Sequence, residues 1–107
     1  KNSIKTYKTN KKREIIAPYT MTKIKEMMMQ VSKVGTAKTL VDLDGGCGVK
    51  TGTAQSSLNG KKISHGWITG FYPEINPKYA ITVIIEGTEK ESKSAIPIFK
   101  EICENLK

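Results

Sequence analysis

The sequence predicts an α+β fold in the order helix, three-stranded antiparallel meander, C-terminal helix. Three observations carry that expectation. Apolar residues recur at helical spacing near both ends, at Ile24, Met27, Met28 and Val31 and again at Ala95, Ile98, Phe99, Ile102, Cys103 and Leu106. Between them Asn59-Gly60 separates two strand-like runs, and both central residues of the type I′ hairpin turn that it favours need positive φ. A third run, "YAITVIIEG" (79–87), is apolar on both of its alternating faces. With 107 residues the chain is at most one ordinary domain.

In order, residues 1–19 read as a basic, extended lead-in that ends near Pro18. Thr20 or Thr22 is placed to cap a helix over 20–34, and Gly35 to stop it near Val34. The stripe Ile24–Met27–Met28–Val31 is expected to face the core. "TAKTLVDLDGGCG" (36–48) reads as a connection into the first strand. The meander spans 49–87, with strands over about 49–57, 62–72 and 79–87. "PEINPK" (73–78) makes its second turn. Ser94 is placed to cap a last helix over 94–106, with Pro97 in its first turn. The third strand lies at an edge of the meander, although its two-sided apolar pattern asks for a neighbour on each side. Self-association through the edge of strand 79–87 is one expected consequence.

Composition narrows the function. No stretch approaches the roughly 18 apolar residues of a membrane span, and "KNSIKTYKTNKKR" lacks the apolar core of a signal peptide. The chain itself is expected to be soluble. Two cysteines and one histidine argue against a disulfide framework and against a metal site, and no cofactor is expected. Cys47 and Cys103 read as free thiols, with Cys103 in a core. Of the net +8, all resides in residues 1–38, where ten Lys and Arg face two acids; the remainder carries eight of each. Such a segment could attract a polyanion. No nucleic-acid motif accompanies it, so nucleic acid is not the expected partner.

The chemistry is concentrated in Lys50-Thr51-Gly52-Thr53. Lys50 supplies a cation and Thr51 a hydroxyl that can donate to an anionic group. Gly52 leaves the backbone bare to a ligand, and the Thr53 N–H can face a developing oxyanion. Strict alternation puts Lys50 and Thr51 on opposite faces, so both serve one site only if that site wraps round an exposed edge strand. His65 has no paired serine or carboxylate and reads as a structural or surface residue. Trp67, Phe71 and Tyr72 read as packing residues.

"VKTGTAQ", followed by "HGWITGFYP", "NPKYAITVIIEG" and "SAIPIFKEICENL", resembles the C-terminal part of penicillin-binding proteins, most closely the class B monofunctional transpeptidases. "VSKVGTAKTL" (31–40) also looks like the family's approach to this strand, and the resemblance covers about residues 20–107. It implies a partial transpeptidase fold and serine acyl transfer, with the motif set S-x-x-K, S-x-N and K-T-G. It further implies that Lys50 and Thr51 help to hold the substrate's terminal carboxylate and assist the serine machinery, and that the Thr53 N–H completes the oxyanion hole. Substrate binding would then involve Lys50, Thr51, Gly52 and Thr53, and the catalytic contributions would come from Lys50 and Thr53. The implied substrate is a peptidoglycan stem peptide ending in D-Ala-D-Ala, which β-lactams mimic. The implied location is the extracytoplasmic face of a bacterial membrane, in a longer, anchored parent.

Val49 stands where many members have glycine. No serine of this chain has a lysine three residues later. Ser57-Leu58-Asn59 matches S-x-N, but it follows K-T-G and falls in the hairpin turn, where turn geometry explains Asn59. The chain alone therefore lacks a nucleophile-and-base pair and is expected to be inactive. It would supply one wall of a site that the remainder of the domain completes. A D,D-carboxypeptidase, a β-lactamase, a β-lactam sensor or a small polyanion-binding module are the alternative readings.

Overall fold

The computed structural model describes residues 4–8, 11–88 and 94–107. Its elements are α1 (Pro18–Lys33), a short 3-10 helix (Lys38–Asp42), β1 (Gly48–Leu58), β2 (Lys61–Tyr72), β3 (Tyr79–Thr88) and α2 (Ile96–Asn105). The strands form an antiparallel sheet in the order β1-β2-β3. The expected α+β arrangement is therefore the observed one, and β1 and β3 are the two edges among the described residues.

Local chemistry moves the ends of several elements. Pro18 occupies the first turn of α1 with Ala17 at the N-cap and no side-chain cap. The proline's fixed φ starts the helix two residues before the expected point. Thr22 therefore lies inside the helix, where its hydroxyl donates back to the Pro18 carbonyl at 3.0 Å rather than capping. At the other end of the chain Ala95 takes the N-cap of α2 and Pro97 lies in its first turn, so Ser94 is not the cap. Within the expected connection, residues 38–42 close into the 3-10 helix, which buries Leu40. The Asn59-Gly60 turn has φ of 52° and 78°, the left-handed pair that a type I′ hairpin needs.

One face of the sheet carries the core. Val49 and Ile68 are fully buried there together with Leu40, Phe99 and Cys103, while Ile81, Val83 and Ile85 of β3 pack at its margin. α2 covers this face through β2 and β3. On α2, Phe99 and Cys103 of the expected stripe are buried, but Ile98 and Ile102 remain exposed. The opposite face bears Trp67, Thr69 and Phe71 on β2 and Ala80, Thr82 and Ile84 on β3, following the period of two. Ile84 is 61% exposed there. β3 is thus covered on one side within the described residues, and the expectation of two-sided cover is not met by this chain.

The stripe on α1 also departs from expectation. Val31 packs against the core margin, but Met27 is 62% exposed and Ile24 and Met28 are only half-buried. α1 lies beside β1 and the 3-10 helix, at the sheet's edge, so its apolar stripe faces an open cleft.

Candidate functional site

β1 places all four expected site residues on an edge strand, and the register against β2 fixes their directions. Val49 and Thr51 turn to the core face; Lys50 turns to the other and is exposed. The opposition anticipated from alternation is real, and the exposed edge is the one place where the two side chains can serve a common ligand.

Thr51 is held at two points. Its side chain is buried, and its hydroxyl shares a hydrogen bond of 3.0 Å with the hydroxyl of Thr36, fifteen residues earlier. Its carbonyl accepts a 2.6 Å bond from Lys50 Nζ. The lysine therefore curls back over its own strand. Beside it lies a cleft of about 430 Å³ lined by Ile24, Met27, Met28, Val31 and Lys50. Nothing in the 36–51 spacing announces the Thr36 contact, since it depends on the turn after α1 folding back over β1.

Gly52 lies opposite Trp67, and a Cβ on it would collide with the indole ring. Gly48 stands in the same relation to Phe71, four residues earlier on the same face. Each aromatic ring covers a glycine across the strand pair, so these glycines make room for the protein's own packing. Phe71 also carries the ammonium of Lys25 at 5.8 Å from its ring centroid, which ties α1 to this face. The buried Tyr72 donates its hydroxyl to the Asp44 carbonyl at 2.8 Å. All three aromatic residues pack, as their sequence context suggested.

Backbone direction bears on Thr53. In an antiparallel ladder the N–H and C=O of one residue point to the same side, and residues two apart agree. The Thr69 and Thr82 hydroxyls, 2.8 Å apart across β2 and β3, fit the close side-chain approach of a pair without mutual ladder bonds. Carried through the register, this phase turns the Thr51 and Thr53 backbone groups away from β2, towards the open edge.

The remaining candidates separate from the site. His65 accepts the Gly87 N–H at Nδ1, at 3.1 Å, a structural link between β2 and β3. Cys47 is buried just before β1, and Ser32 Oγ donates to its carbonyl at 2.7 Å. Burial pushes its thiol up to about 11, and that of Cys103 up to about 12. Neither is a reactive thiolate in this setting.

The family model described as the penicillin binding protein transpeptidase domain matches residues 1–104. The chain is also similar to a probable peptidoglycan D,D-transpeptidase, PenA, of Neisseria flavescens, with 32% identity over 100 residues. That similarity takes in 86% of this chain and 25% of the relative, so the chain spans about a quarter of the relative's length.

Proposed function

We propose, for a chain that belongs to the penicillin-binding protein transpeptidase domain family, that β1 is the carboxylate-binding and oxyanion-facing wall of a peptidoglycan D,D-transpeptidase site. The observation that carries this reading is Lys50-Thr51-Gly52-Thr53 on an open sheet edge, with the Thr51 and Thr53 backbone turned outward.

A stem peptide ending in D-Ala-D-Ala, or a β-lactam in its place, lies along that edge. Lys50 leaves the Thr51 carbonyl to meet the incoming charge, and the Thr51 hydroxyl donates to the substrate carboxylate. The Thr53 N–H stabilises the oxygen that gains charge during acyl transfer. Gly52 lets the Trp67 indole close over β1 on one face, while the peptide approaches the strand at its open edge. The serine and its lysine base come from the part of the parent outside these 107 residues, because no S-x-x-K occurs within them. That remainder also covers the bare sheet face around Trp67 and Ile84 and the methionine cleft on α1. The parent works on the extracytoplasmic face of the membrane, where its substrate is. No helix among the described residues is long and apolar enough to cross a membrane.

The test is acylation by a fluorescent penicillin. The parent protein should form a covalent adduct, its Lys50→Ala variant should form it at least about a hundredfold more slowly, and the 107-residue chain should form none. A stoichiometric adduct on the isolated chain, or an unimpaired Lys50→Ala parent, would refute this assignment.

A further inference from the structure

Thr36 belongs to no part of the machinery described above, yet its hydroxyl meets that of Thr51, the residue proposed to hold the carboxylate. A threonine hydroxyl has one hydrogen to donate and two lone pairs to accept with. Two hydroxyls left to themselves can point either way round. If Thr51 donates to Thr36, it has no hydrogen left for a ligand. If Thr36 donates to Thr51, the Thr51 hydrogen is free, and its donor strength is raised by the bond that it accepts. A carboxylate at the β1 edge favours the second arrangement, since it can only accept.

Thr36 is well held for such a task. It lies between the end of α1 and the 3-10 helix, where backbone bonds from Ala37 N–H to the Val31 carbonyl (3.2 Å) and from Lys38 N–H to the Gly35 carbonyl (3.2 Å) fix the turn. Ala37 is fully buried beside it. Thr51 itself is buried whereas Thr36 is exposed, and the bond between their hydroxyls is part-buried.

We infer that Thr36 is a positioning residue for carboxylate recognition: by donating to the Thr51 hydroxyl, it sets that hydroxyl's hydrogen towards the ligand's carboxylate. The inference rests on the reading of the β1 edge given above. It extends that reading to a residue outside K-T-G, and makes the pair a specificity element for ligands that carry a free carboxylate.

The experiment compares acylation of the parent by a penicillin and by its carboxylate methyl ester, for wild type, Thr36→Val and Thr36→Ser. Valine keeps the shape and removes the hydroxyl; serine keeps the hydroxyl. The expected result is that Thr36→Val loses about tenfold in the acylation rate with the free acid and little with the ester, so that its preference for the acid shrinks. Thr36→Ser should stay within about twofold of wild type on both. The acid-to-ester ratio is read within each variant, so a fall in the active fraction does not mimic the effect. A wild-type parent that penicillin does not acylate overturns the reading of the edge and this inference with it. A parent that is acylated, and whose Thr36→Val variant keeps the wild-type ratio, overturns the inference alone.

Discussion

Thr51 illustrates how much of this site is decided atom by atom: its carbonyl holds Lys50, its hydroxyl meets Thr36, and its backbone turns to the open edge. The two thiols are decided in the same way, by their surroundings. Cys47 and Cys103 have an ordinary value of 9.0, and burial first of all raises both, to about 11 and about 12. For groups raised in the folded state, the stability they contribute is fully present below the unfolded value and is lost as pH rises towards the folded ones. The midpoint of urea unfolding should therefore hold up to about pH 9 and decline above it. In a Cys47→Ala/Cys103→Ala variant the decline should be shallower than in wild type. Equal slopes for the two proteins would show that the thiols are not shielded as described.

At the scale of elements, the hairpin between β1 and β2 sets the register that puts Gly52 opposite Trp67. Its turn depends on two residues in the left-handed region, Asn59 and Gly60. A Cβ at Gly60 would meet nothing within 4 Å, so the cost of adding one is conformational alone. Gly60→Ala should destabilise the chain by about 1 kcal/mol without altering its ligand chemistry, measurable by chemical denaturation. A loss well beyond that would mean that the turn does more than close the hairpin. α1 shows the reverse case, a periodic apolar stripe that its own chain does not cover. Amphipathic spacing announces that a face will be buried; it does not say by which neighbour.

Over the whole molecule, the sheet is finished on one side and open on the other. α2 covers the face that holds Val49 and Ile68, while β3 presents an edge with no partner strand among the described residues and an exposed Ile84 on the far face. Edges of this kind pair with other chains unless a charge or a cover prevents it. The isolated chain should associate in a concentration-dependent way by light scattering, and Ile84→Lys should reduce the association. A wild-type chain that stays monomeric at high concentration would contradict this picture. The basic third of the chain, residues 1–38, falls wholly within the family match over residues 1–104, so its charge belongs to the matched domain rather than to a separate module.

The sequence by itself determined the element order, the hairpin turn and the K-T-G-T strand. Each depends on local chemistry, whether apolar spacing, a pair of residues that accept positive φ, or a short run of functional groups. Its quoted motifs also carried the family resemblance that the match over residues 1–104 bears out. Element ends were less legible, because Pro18 and Ala95, not the hydroxyl residues nearby, take the first turn and the cap. Only the tertiary structure decided that Thr36 meets Thr51, that Trp67 fills the space over Gly52, and that the methionine stripe of α1 opens onto a cleft beside Lys50. Those contacts join residues 15 or more apart, or depend on which faces neighbours leave bare. A pattern read along one strand or helix carries no record of what another segment brings against it.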